Sequence, residues 1–193
     1  MTELTEFQRK LSALLPDVEL RFEEALAKHT SFRIGGDAEV MAFPKTKIEL
    51  ADILKACAKL NCKCAILGAG TNVLAPDEGV RGLVVCLKDC LGGMERLDET
   101  HIRVMAGVTM ARAAVNAANM GLTGMEFAHG IPGTVGGGVY MNAGAYGGEL
   151  KDAVESVVFY FLPDQGLYEM MNENCKFAYR RSIFQQMNAA ILS

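Results

Sequence analysis

The chain has 193 residues, half of them apolar, with 19 Lys and Arg against 23 Asp and Glu and a formal net charge of −4 at pH 7. That length suits one large domain or two small ones with a real core, and the acidic balance argues against nucleic acid, whose recognition needs a concentrated basic face. Its apolar runs, such as 82–87, are far too short to cross a bilayer, and Glu3, Glu6, Arg9 and Lys10 leave no continuous apolar segment for a secretory signal, so no membrane partner and a cytoplasmic location are expected.

In chain order, Phe7, Leu11, Leu14 and Leu15 recur at helical spacing and predict a short amphipathic helix over 5–15, stopped by Pro16. Residues 37–43 read as a strand before Pro44. Thr46 and Glu49 then form a capping-box pattern at the head of a helix over 47–60. A short strand at 63–67 completes a β-α-β unit, and 82–87 is a further apolar strand. Residues 94–105 predict a hairpin turning at Asp98-Glu99-Thr100. Thr109 is placed to cap a helix running to Met120, with Gly121 as the residue that closes it. Strands are expected at 154–162 and 167–171, and the apolar end at 188–193 resembles the start of another. The β-α-β pattern gives way to hairpins near 88–93, which predicts two domains, 1–90 and 91–193.

Six cysteines make no C-x-x-C pair, and His29, His101 and His129 are far apart, so reduced thiols and no metal site are expected. Glycine is distributed unevenly: ten of twenty fall between positions 121 and 148, mixed with Phe127, Ile131, Val135, Tyr140 and Tyr146. A flexible linker would be polar and serine-rich. Glycine among apolar residues instead suggests ordered backbone packed against something flat.

Three segments are candidates for chemistry. Leu67-Gly68-Ala69-Gly70-Thr71-Asn72-Val73-Leu74 follows a strand directly, and its N–H groups could form a concave nest for an anion. It lacks the G-K-[ST] of a Walker loop and the third glycine of a Rossmann fingerprint, so a plain strand-to-loop turn is as compatible with it as a pyrophosphate site. Gly130-Ile131-Pro132-Gly133-Thr134-Val135-Gly136-Gly137 combines a tight turn with a capping Thr134, which could aim a helix N-terminus at an anion, and Asn142-Ala143-Gly144 follows closely. In Tyr179-Arg180-Arg181-Ser182-Ile183-Phe184 the arginines read either as solvated surface cations or as a cation held by aromatics toward a carboxylate or phosphate.

These segments, in this order and together with His29-Thr30-Ser31-Phe32-Arg33-Ile34-Gly35-Gly36, resemble the UDP-N-acetylenolpyruvoylglucosamine reductase (UDP-N-acetylmuramate dehydrogenase) family over about residues 29–184. The resemblance implies an α+β fold of the vanillyl-alcohol-oxidase FAD-binding type, with two α+β subdomains present and the family's third, substrate domain absent from this chain. It implies that FAD is received by Gly68, Ala69, Gly70, Thr71, Asn72, Val73 and Leu74 and by Gly130, Ile131, Pro132, Gly133, Thr134, Gly136, Gly137, Asn142 and Gly144. Arg180 matches the family's catalytic arginine and, with Tyr179, its substrate contact.

The implied reaction is reduction of a UDP-sugar enolpyruvyl ether in cell-wall precursor synthesis, with NADPH as hydride donor and FAD as carrier. The family's proton-donating serine and its assisting glutamate find no matching context, and Ser182 is not assigned that role. Arg181 stands where the family often has an acidic residue. The chain is accordingly expected to be a fragment that binds flavin but does not complete turnover. The competing readings are another FAD-linked oxidase or dehydrogenase of the same fold, for which His129 would be the covalent attachment point, and a non-catalytic flavin-binding module.

Overall fold

The computed structural model describes residues 3–193, which divide between Cys90 and Leu91 into two compact units. Among these residues no helix is long and apolar enough to cross a membrane.

The first unit opens with α1 (Glu6–Leu14), started by a reciprocal pair in which Thr5 Oγ1 accepts from the Gln8 N–H and Gln8 Oε1 accepts from the Thr5 N–H. Buried Gln8 also donates to the Glu39 carbonyl, fixing the helix to the sheet. The sheet has the order β1-β2-β4-β3. Its edge strand β1 (Glu19–Ala25) runs antiparallel to β2 (Asp37–Phe43). β1 was not predicted: its charged residues, Glu19, Arg21, Glu23 and Glu24, hide the alternation of Leu20 and Phe22. Charge of this kind is usual on an edge strand.

α2 (Lys47–Leu60) begins as expected at Thr46, whose hydroxyl accepts from the Glu49 N–H. The expected capping box is only half made, because the Glu49 carboxylate accepts from the Lys45 N–H instead. β3 (Cys64–Leu67) and β4 (Val80–Cys86) are parallel, and β4 lies between β2 and β3, so the predicted β-α-β unit carries a third strand inside it. The register of β2 on β4 shifts between Ala38 and Val40. Opposite the shift stands Gly82, with φ +94°, where a Cβ would come within 2.6 Å of the Lys63 carbonyl. Leu26, Ala38, Met41, Leu67, Ala75, Val84 and Cys86 form one buried cluster.

In the second unit β5 (Met94–Arg96) and β6 (Ile102–Val104) make the predicted hairpin. Its turn is held by Asp98, whose carboxylate accepts from the Thr100 and His101 N–H groups; the Thr100 N–H first and the His101 ring next hold its pKa down to about 2. α3 (Met110–Asn119) is capped by Thr109 and followed by Gly121 at φ +76°, as the sequence predicts. α4 (Val135–Met141) and a small hairpin, β7 (Gly144–Ala145) with β8 (Gly148–Glu149), occupy the glycine-rich stretch. β9 (Ser156–Phe161) is the centre of an antiparallel sheet, flanked by β10 (Gly166–Met171) and β11 (Ala189–Ile191). The final apolar run is thus the outer strand β11, and the Phe159 and Phe184 rings meet edge to face behind it at 5.3 Å between centroids.

Candidate functional site

In the first unit β3 ends at Leu67 and the chain turns through Gly68, Ala69 and Gly70. A second segment lies against this turn. After β1 a 3₁₀ turn, Leu26–Lys28, leads into His29, Thr30 and Ser31, and the Ser31 N–H donates to the Gly70 carbonyl at 3.0 Å. Gly70 sits at φ +65°, and a Cβ there would stand 2.0 Å from the His29 carbonyl, so only glycine permits this approach. Between the two segments opens a cavity of about 350 Å³ lined by Lys28, His29, Thr30, Ser31, Arg33, Gly68, Ala69, Cys86 and Lys88.

The lining is cationic in an acidic chain. Lys28 Nζ lies 3.5 Å from a Glu24 oxygen, while Arg33 and Lys88 have no carboxylate partner among the described residues. His29 Nε2 is 2.9 Å from Glu24, and this hydrogen bond is the main reason the Glu24 carboxyl is held below its ordinary range, against the effect of its burial. Thr30 is 6 % exposed, and its Oγ1 is buried with no hydrogen-bond partner. A buried hydroxyl left unpaired costs about 1–3 kcal/mol. Two uncommitted cations, a buried hydroxyl and backbone without side chains form a donor set that suits the oxygens of a phosphoester.

Of the residues expected at a cofactor, Gly68 and Ala69 line this cavity. Gly70 is buried and serves the backbone approach, Thr71 is half-buried, and Asn72, Val73 and Leu74 are exposed beyond it. The segment 28–33 and Lys88 were missed as site residues. The available signal was the pair Gly35-Gly36 in the segment already singled out. Cβ atoms there would lie 2.5 Å from Ala75 Cβ and 2.3 Å from the Asp77 carbonyl, so the glycines seat that segment beside the end of the 67–74 loop.

The second unit corrects the expectation that the α4 N-terminus receives an anion. Its first N–H groups are already taken: Val135 donates to the Val108 carbonyl at 2.8 Å, Gly136 to the Ala106 carbonyl at 2.9 Å and Gly137 to Thr134 Oγ1. Thr134 caps the helix as predicted, but inward, and is buried. Gly133 has φ +121° and its carbonyl accepts from the Met110 N–H. Gly136 and Gly144 leave no room for a Cβ, whereas at Gly137 the nearest atom would be Thr134 Oγ1 at 3.5 Å. Gly130, Pro132 and Gly137 are exposed and Ile131 partly so. His129 is exposed at the end of the 3₁₀ turn Glu126–Gly130.

Asn142 also departs from expectation. It is 1 % exposed; Nδ2 donates to Glu149 Oε2 at 2.8 Å and to the Ala178 carbonyl at 2.9 Å, and Oδ1 accepts from the Lys151 N–H. Its side chain is therefore part of the scaffold and does not present itself to a ligand. What it holds is the turn Ala178-Tyr179-Arg180-Arg181, closed by reciprocal 3.0 Å bonds between Ala178 and Arg181. Tyr179 is 82 % exposed, and the Arg180 guanidinium stands 5.7 Å from its ring centroid. Arg180 has the left-handed φ of +53° and makes no ion pair among the described residues. Its charge reaches Glu149, whose carboxyl is lowered first by Lys151 and Asn142 and only weakly by Arg180. Ser182 is buried and donates to the Tyr140 carbonyl.

Comparison with known proteins places these features. The UDP-N-acetylenolpyruvoylglucosamine reductase of Syntrophomonas wolfei is 38 % identical over 179 residues, which are 93 % of this chain and 59 % of the relative. The solved structure of UDP-N-acetylenolpyruvylglucosamine reductase from Thermus caldophilus superposes with a TM-score of 0.69 at 30 % identity, over 91 % of this chain and 59 % of that one. A chitooligosaccharide oxidase matches at a TM-score of 0.68 and 13 % identity, which speaks to the fold alone. The α+β flavin-binding fold expected from the resemblance is thus the fold found, and the chain spans about three fifths of the length of the relatives it matches. The model of the FAD binding domain matches residues 38–164, and the chain belongs to that family.

Proposed function

We propose that this chain is the flavin-binding part of an NADPH-dependent enzyme that reduces UDP-N-acetylglucosamine enolpyruvate to UDP-N-acetylmuramate, a cytoplasmic step in peptidoglycan precursor synthesis. The observation that carries this reading is the cationic cavity at the 67–70 turn, lined in part by Thr30, whose hydroxyl is buried and has no partner. FAD, when bound, supplies two-electron chemistry between a nicotinamide and the enolpyruvyl double bond. Lys28, Arg33, Lys88 and Thr30, with the bare backbone of Gly68 and Ala69, would hold its diphosphate. Within the second unit, Gly130, Pro132 and Gly137 are exposed and Ile131 partly so.

Arg180 acts on the substrate. It is exposed, carries Tyr179 beside it, and has no internal carboxylate to satisfy. A planar cation so placed meets the substrate carboxylate, onto which negative charge moves as the double bond is reduced. Removing such a group costs about 10²–10³ in rate. In the intact, FAD-loaded enzyme that contains this chain, Arg180→Ala is expected to lose substrate reduction to that degree while NADPH-driven flavin reduction persists, with Arg180→Lys a poor substitute. Arg181→Ala, whose guanidinium is exposed, is expected to be mild. Equal loss of both half-reactions in Arg180→Ala would assign Arg180 to the fold or the cofactor instead.

A further inference from the structure

Arg180, at φ +53°, occupies the left-handed backbone region, which an L-residue with a side chain does not favour. Such a conformation persists only where its surroundings impose it. Here the imposing contacts are identifiable. The Ala178 carbonyl, at the head of the turn, accepts from Asn142 Nδ2 at 2.9 Å, and the Arg180 carbonyl accepts from Gln185 Nε2 at 3.1 Å. The two bonds fix the peptide planes on either side of the Tyr179–Arg180 pair. Both donors are in turn anchored to α4. Asn142 is its left-handed C-terminal cap at φ +44°, and Gln185 Nε2 lies 3.2 Å from the Tyr140 carbonyl. Ser182 donates to that same carbonyl at 2.8 Å. The last carbonyls of a helix have no partner inside it, so the end of α4 provides acceptors that staple the 180–185 segment in place. Asn142 reaches further: its other N–H engages Glu149, and its Oδ1 takes the Lys151 N–H, so it ties the turn to β8 and the residues after it.

We infer that Asn142 and Gln185 are positioning residues, which clip the Tyr179–Arg180 turn at both ends and so fix the direction of the Arg180 guanidinium. This rests on the reading of Arg180 as the cation that meets the substrate carboxylate. It gives the asparagine of the glycine-rich stretch a role through Arg180 and none at the flavin.

The test uses Asn142→Ala and Gln185→Ala, alone and each combined with Arg180→Ala, in the intact, FAD-loaded enzyme that contains this chain. A misplacement of about 1 Å can cost about 10²-fold in rate, so Asn142→Ala is expected to slow substrate reduction by up to that factor and Gln185→Ala by less, with FAD affinity unchanged in both. In the Arg180→Ala background neither variant is expected to slow the step further, since groups acting through one another are not additive. A readout independent of turnover is trypsin cleavage after Arg180 and Arg181 in the flavin-free protein, which is expected to quicken several-fold in both variants because the turn opens more often. Additive losses, weakened FAD binding in soluble variants, or unchanged cleavage after Arg180 would each overturn the proposal. Gln185 is only half-buried, so its variant gives a result even where Asn142→Ala does not fold. If Arg180→Ala itself keeps substrate reduction, the reading of Arg180 fails, and the cleavage measurement still decides whether the clip exists.

Discussion

At Gly70 in the first unit, a missing side chain lets two stretches of backbone touch, with the His29 carbonyl 2.0 Å from where a Cβ would be. At Gly138 and Gly148 in the second unit, the missing side chain admits other side chains. Leu150 Cδ1 and Met110 Sδ lie 2.8 Å from the place of a Cβ at Gly138, and the Phe127 ring lies 2.7 Å from that at Gly148. The first arrangement leaves a polar cavity beside the contact, lined by Lys28, Arg33, Lys88 and Thr30 among others. The second packs side chains against backbone, and the cleft beside it, about 520 Å³ lined by Gly124, Glu126, Phe127, Tyr146, Gly147 and Gly148, contains no Lys or Arg. A cluster of glycines therefore does not by itself mark a ligand. The glycines of the 67–70 turn border a cationic cavity, whereas in the longer run Gly136, Gly138, Gly144 and Gly148 let a short helix and a small hairpin pack closely.

The comparison is most easily broken at Gly70. Gly70→Ala combines the left-handed penalty of roughly 1–2 kcal/mol with roughly 1–3 kcal/mol of overpacking, against backbone that cannot rotate aside. Urea denaturation is expected to show a loss of roughly 2–5 kcal/mol, accompanied by loss of flavin binding, so this variant does not isolate a cofactor contact. Gly138→Ala meets the flexible end of Met110 and the Leu150 methyl, so a loss of about 1–3 kcal/mol is expected in the same measurement, with flavin affinity retained by the folded fraction. Gly137→Ala sharpens the contrast. It lies in α4, its Cβ would find ordinary contact with Thr134 Oγ1 at 3.5 Å, and removing a helical glycine stabilises by about 0.5–1 kcal/mol. A rise in stability joined to a fall in FAD affinity is expected if the dinucleotide lies over this face, and a rise in both would remove Gly137 from the site.

The smallest effect concerns Glu24, behind the first cavity. Its carboxyl is held below the ordinary value of 4.5, first by His29. A depressed folded value means that its contribution is complete above the unfolded pKa and is lost as pH falls through the folded one. Amide-exchange protection of residues 28–31 is expected to weaken as pH drops below about 4.5, and Glu24→Gln to flatten that dependence. A dependence unchanged in Glu24→Gln would assign it to another carboxylate.

Much of this architecture was legible where the cause is local. Thr46 and Thr109 cap helices because each is a threonine ahead of a helix-forming run, Thr134 caps the glycine-rich α4 through its own hydroxyl, and Gly121 adopts the positive φ that ends α3. The rest depends on pairings between distant residues. The insertion of β4 between β2 and β3 leaves no trace in the periodicity of any of the three. The approach of 28–31 to Gly70 required knowing that the charged segment 19–25 is a strand. The N–H groups of α4 are consumed by Ala106 and Val108, which the spacing around Thr134 gives no means to foresee. Arg180 was identified through its motif, but its left-handed conformation and the clip that holds it depend on Asn142, 38 positions earlier by number (180 − 142), and on Gln185.

The most direct test of the site is an FAD titration of Thr30→Val followed by flavin fluorescence, with thermal denaturation measured alongside. Valine keeps the shape and the branching of threonine and deletes only a hydroxyl that has no partner in the protein. A hydrogen bond to a charged group contributes about 1.5–3 kcal/mol, so FAD affinity is expected to fall by about tenfold or more, while the flavin-free protein becomes no less stable. Unchanged FAD affinity in Thr30→Val, with the fold intact, would show that this cavity does not receive the cofactor's diphosphate and would contradict the account.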